Sequence, residues 1–122
     1  MEIRLALAEE TGTVEARRDL SLSYNRLGDI ARTEGQLVKA RGYYKKGLEL
    51  ALALAKESPT LEHYDDVTTS CYYLSTVVTK TAEKKAYLTK AIELCESLIK
   101  HAPSNARYQQ KYQFLRQELA KL

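Results

Sequence analysis

The chain of 122 residues has no tryptophan, one phenylalanine, two cysteines, two prolines and five glycines. Each scarcity excludes something. Cys71 and Cys95 form neither a CxxC pair nor a Cys/His cluster, so they carry no metal signature. Both fall on apolar helical positions and read as small core residues. The glycines are dispersed, so no loop is rich enough in them to cradle a phosphate. No apolar run approaches the length of a membrane span. The opening stretch MEIRLALAEETG carries acids early and lacks a continuous apolar core, which does not fit a secretory signal, and a cytoplasmic location is expected.

Charge is also scarce in net terms. A balance of +3 is too small to imply nucleic acid. Its distribution is uneven, because Lys80–Leu122 holds nine Lys/Arg against four Glu. A basic end of this kind favours acidic partners, although solvated helix faces account for it as well.

Catalytic constellations are missing too. In EHYDD, His63 and Asp66 would share a helix face while Asp65 points away, leaving two ligands where a metal needs at least three. First-turn acids complementing a helix dipole account for Glu62, Asp65 and Asp66, and His101 reads as a dipole partner at a helix end. Cys71 lies two helical turns from His63 and has no orienting third group. These patterns lead to the expectation of a protein that is not an enzyme and uses no cofactor and no metal.

What the chain does have is a repeat. ALAEETGTVEARRD (6–19) and ALAKESPTLEHYDD (53–66) align at an offset of 47 without a gap, and the match runs on through Ser23/Ser70 and Leu27/Leu74. At an offset of 44, Tyr43/Tyr87, Leu50/Leu94, Leu54/Leu98, Lys56/Lys100, Pro59/Pro103 and Tyr64/Tyr108 pair. Three residues are therefore missing from the second copy between Leu74 and Tyr87. A period of this size is the mark of a solenoid or a similar array.

Each period reads as two helices. Leu20, Tyr24, Leu27 and Ile30/Ala31 form one stripe, and Leu37, Ala40, Tyr44, Gly47/Leu48, Ala51 and Leu54/Ala55 form another, with Gly35 between them. The second copy predicts helices from Thr60 to about Lys80 and from Glu83 to His101, and a last helix follows from about Ser104 to Lys121. SPT and APSN are the stop-and-start signals between pairs. Gly28, Ala40 and Gly47 are expected at the points where the helices of a pair approach most closely. Each such glycine costs about 1 kcal/mol in a free helix, so packing is the reason for it.

The order of Tyr24, Leu27-Gly28, Ala31, Ala40, Tyr44 and Gly47 resembles the tetratricopeptide repeat (TPR) family, and the long units resemble the extended repeats of kinesin-light-chain-like bacterial TPR proteins. The pattern departs at Ala31, where the family has a Tyr-like residue. Pro59 arrives late, and in the second unit Ser75 replaces the glycine and Lys84 the small residue. The resemblance implies an all-α, right-handed solenoid of antiparallel helix pairs with about six helices. Its divisions would be a half unit over 1–12, a unit over 13–59, a shorter unit over 60–103 and a half unit over 104–122.

It further implies that the first helices of successive units line a concave groove for a peptide or helix of a partner protein. On the stripe facing that groove, the first unit supplies Leu22, Asn25, Asp29 and Arg32. The second supplies Thr69, Tyr72, Tyr73 and Thr76, and the last helix supplies Gln113 and Arg116. A non-catalytic adaptor, scaffold or regulatory module is the expected function. The unpaired helices at the two ends leave open an alternative, a self-association module that forms a homodimer through them. They also fit a segment of a longer array, or simple caps. Membrane insertion is not expected, and the tyrosines fall at helical spacings that suit a core better than a nucleic-acid platform.

Overall fold

The computed structural model describes residues 12–122. Among them are five helices and no strand: α1 (Val14–Thr33), α2 (Leu37–Glu57), α3 (Leu61–Ser75), α4 (Thr81–His101) and α5 (Ala106–Ala120). The further helix expected over Glu2–Glu10 lies outside the described residues. No described helix is long and apolar enough to cross a membrane.

Local chemistry sets the helix ends. Thr13 and Thr60 stand 47 residues apart, and each side chain accepts from the backbone N–H three residues on, at 3.1 Å. Asn105 caps α5 by accepting from the N–H groups of Arg107 and Tyr108. At the end of α1, Gly35 takes φ 77°. Its N–H and that of Gln36 return to the carbonyls of Arg32 and Ala31, which turns the chain into α2 through a Schellman motif.

The second unit turns differently. The first helix was expected to run to about Lys80, but α3 stops at Ser75. The hydroxyls of Ser75 and Thr76 donate to the carbonyls of Tyr72 and Tyr73, and the N–H groups of Val77 and Val78 both reach Leu74 O. Val77 and Val78 are themselves buried, so the three-residue deletion is spent on a shorter helix with an apolar plug.

Consecutive helices pack on one another from α1 to α5. One apolar cluster joins Ala31, Ala40, Tyr44, Leu74 and Val77; another joins Ala51, Ala55, Val67, Cys71, Leu88, Ala91, Ile92, Cys95 and Leu115, and half-buried Leu48 touches both. The stripe on α2 lies largely inward as its spacing predicts, except that Leu37, at its start, is exposed. On α1, Leu20 and Ala31 are buried and Gly28 meets α2 as expected, but the stripe is rotated: Ile30 is 57% exposed, whereas Ser21 and Asn25 are buried. Close approach explains it. Ser21 Oγ donates to Gly47 O at 2.8 Å, and Gly28 lies flat against the Tyr44 ring. Larger residues on that line would hold the two helices apart.

Both cysteines are fully buried in the second cluster, as expected. Burial pushes each thiol up to about 11. A thiol reagent at pH 8 should therefore label neither until the chain unfolds, which mass spectrometry of labelled protein with and without denaturant would check. The folded thiols hold their protons more tightly than unfolded ones. The stability they contribute is intact below about pH 9 and is lost as pH climbs through about 11.

Candidate partner-binding groove

The first helices of the repeat, α1, α3 and α5, are tied laterally by polar side chains. The Arg18 guanidinium lies across both Asp66 carboxylate oxygens, at 2.8 and 3.2 Å, and reaches Glu62 at 2.8 Å. One and two steps further along, Asn25 Nδ2 donates to Ser70 Oγ at 3.3 Å and Arg32 donates to Thr76 Oγ1 at 3.0 Å. On the other side of α3, Lys111 Nζ sits 2.6 Å from Asp65 and 2.8 Å from Thr69 Oγ1, and Arg107 reaches the second Asp65 oxygen at 3.2 Å. The hydrogen-bonded partners in this ladder are 42 to 48 residues apart, the same interval as the sequence repeat.

EHYDD therefore has a different role from the one its helix position suggests. Its acids bridge to neighbouring helices in both directions rather than only complementing a dipole. His63 is buried, and its Nδ1 lies 2.6 Å from Ser58 O, so that nitrogen carries the proton and donates. His101 makes the corresponding bond to Ser97 O at 2.9 Å, at the C-terminal end of α4 as expected.

An aromatic line runs from the core out to the same surface. Tyr44 stacks on Tyr73 with ring centres 5.2 Å apart, Tyr73 meets Tyr72 at 6.0 Å, and Tyr72 meets the edge of Phe114 at 5.2 Å. The Tyr44 hydroxyl donates to Asp29 at 2.5 Å. Burial, reinforced by that carboxylate, holds it well above the usual phenol range. Burial also raises Tyr72 and Tyr73.

Tyr72 separates two small cavities. One, of about 200 Å³, is lined by Thr68, Thr69, Tyr73, Lys111, Phe114 and Leu115 as well as Tyr72. The other, of about 240 Å³, is bounded by Ser75, Thr76, Lys84, Leu88, Glu118 and Leu122 on its remaining sides.

The expected groove residues divide into three groups. Asn25 is only 7% exposed: its Nδ2 donates to Ser70 and its Oδ1 is buried against Gly47 without a hydrogen-bond partner, so it packs α1 on α2 and α3 instead of facing the groove. Asp29, Arg32, Thr69 and Thr76 are half-buried and already engaged with Tyr44, with one another or with Lys111. Leu22, Tyr72 and Tyr73 are half-buried, and Gln113 and Arg116 are exposed. Arg116 lies over the Tyr112 ring at 5.6 Å and donates to its hydroxyl. Phe114 and Lys111, absent from the expected set, line the cavity beside Tyr72. Phe114 had one sequence signal, an apolar side chain off the inner stripe of its helix, and it is 42% exposed.

Comparison with protein-family models, curated proteins and solved structures gave no match.

Proposed function

We propose that the chain is a TPR-like, right-handed solenoid of antiparallel helix pairs that works in the cytoplasm as a non-catalytic protein–protein interaction module. A peptide or helix of the partner docks in the concave groove made by α1, α3 and α5. The observation that carries this reading is the lateral ladder: three first helices, joined at the repeat interval, present a continuous surface with two cavities on it. Tyr72 and Phe114 offer rigid, partly exposed rings there, and such rings dominate the energetics of protein interfaces.

Peptides selected on the protein from a random display library test the proposal. Tyr72→Ala combined with Phe114→Ala should weaken the selected peptides at least about tenfold, a loss of about 1.4 kcal/mol, while circular dichroism stays helical. Peptides that bind the double variant as tightly as the original chain would remove the groove from consideration.

A homodimer through terminal helices is the second reading, favoured by Phe114 and Leu122, both exposed on or just beyond α5. Light scattering across concentration separates the two, because a dimer that Phe114→Glu dissociates supports self-association. Leu115 is unsuited to that test, since it is 1% exposed and a charge there would unfold the chain.

A further inference from the structure

The cations of this protein divide by helix. Those on the first helices that face a neighbour are engaged: Arg17 with Glu57, Arg18 with Glu62 and Asp66, Arg32 with Asp29 and Thr76, and Arg107 and Lys111 with Asp65. The opening halves of the second helices are different. Residues 37–46 of α2 hold Lys39, Arg41, Lys45 and Lys46 with no carboxylate. Residues 80–90, at the start of α4, hold Lys80, Lys84, Lys85 and Lys90 against Glu83 alone. None of these eight forms an ion pair with a described residue. Arg41 and Lys84 are half-buried and the other six are exposed.

Folding supplies no reason for this arrangement. A helix N-terminus carries partial positive charge and favours acids, and like charges four residues apart, as at Arg41/Lys45, repel. Neither α2 nor α4 has a side-chain cap that would offset the cost. α2 has no acid in its first turn and α4 has Glu83 alone, while Glu49, Glu57, Glu93 and Glu96 lie in the closing halves. The cationic excess recurs in both units, with Arg41/Lys85 and Lys46/Lys90 at equivalent repeat positions. The two rows lie near each other, since Tyr43 of α2 and Tyr87 of α4 pack against the same apolar cluster. Beside them, at the α1–α2 turn, Leu37 and Val38 are 44% and 75% exposed.

We propose that the face formed by the opening halves of α2 and α4 docks an acidic, partly apolar segment of another protein. Its carboxylates meet the two cationic rows, and its apolar side chains meet Leu37 and Val38. This surface meets the groove at Lys84, which bounds the cavity beside Tyr72, and its other seven cations line neither groove cavity. Nucleic acid fits less well, because Tyr24 and Tyr43 stack on each other with Lys46 over Tyr24, and Tyr87 is half-buried against the apolar cluster.

The test measures fluorescence anisotropy of a labelled peptide of alternating Glu and Leu residues against the full chain. Lys45→Glu/Lys90→Glu should weaken binding at least about tenfold, and Lys56→Glu/Lys100→Glu, with the same change in net charge, less than about twofold. The first variant should melt no lower than the original chain, because Lys45 and Lys90 are exposed and form no ion pair with a described residue. Four outcomes would each overturn the proposal. These are no saturable binding, equal weakening by the two variants, a lower melting temperature for the first, and tighter binding to poly-U RNA or phosphatidylserine vesicles than to the peptide.

Discussion

Gly28→Ala should destabilise the protein by about 2–3 kcal/mol, although alanine is the better helix former. The reason is geometric. A Cβ at position 28 would enter the Tyr44 ring, which is fully buried. That ring cannot withdraw, because Tyr73 stacks on it at 5.2 Å and its hydroxyl is bonded to Asp29. The gain of about 1 kcal/mol in helix propensity is therefore outweighed by overpacking. Gly42 is the internal control, since it is exposed on α2 with nothing within 4 Å of an added Cβ. Gly42→Ala should raise stability by up to about 1 kcal/mol. Thermal melting would show the two glycines moving in opposite directions, with Gly28→Ala lower by about 6–15 °C. The mechanism has its own check, because in a Tyr44→Leu background the cost of Gly28→Ala should shrink sharply. If both alanines raise the melting temperature, the closest approach of α1 and α2 is not at Gly28.

These glycines also mark how far the sequence could be read. The repeat offsets locate the helices, the caps at Thr13 and Thr60 recur at that offset, and the buried line of Ala40, Tyr44, Gly47, Ala51 and Leu54 on α2 follows from spacing alone. The inner face of α1 does not. Hydrophobic periodicity assigns Ile30 inward and Asn25 outward, but the helix is rotated so that Ser21 and Asn25 as well as the expected Gly28 meet α2. Periodicity weighs hydrophobicity and is blind to size, which decides where backbones approach. The end of α3 was hidden for another reason: Ser75 and Thr76 stop it through bonds to their own preceding turn, and such bonds leave no periodic trace. On the candidate site, Tyr72, Tyr73 and Thr76 were named from their helix face. Lys111 and Phe114 required knowing which helix lies beside α3.

The same blindness to lateral neighbours applies to EHYDD, whose largest effect is on assembly of the repeat. Asp65→Ala should cost about 2–3 kcal/mol, more than an ordinary surface charge on a helix. The Asp65 side chain is 8% exposed and that of Lys111 is 20% exposed, so removing the carboxylate leaves an ammonium largely out of water with only Thr69 to accept from it. Arg107, at 75% exposed, contributes little either way. Most of the cost is the stranded charge, and it should be recoverable. Asp65→Ala/Lys111→Met replaces the pair with apolar volume between α3 and α5 and should regain at least half of the loss in chemical denaturation. Glu118 and Lys121 provide the contrast, because their pair joins the end of α5 to its own C-cap and is exposed on the lysine side, so Glu118→Ala should change stability by less than about 1 kcal/mol. Docking of α5 on α3 completes the wall that holds Phe114 against Tyr72. Asp65→Ala should therefore also weaken groove-selected peptides, even though Asp65 itself is buried. Unchanged stability in Asp65→Ala would mean that apolar packing of α5 on α4 positions the last helix and that the ion pairs merely decorate it.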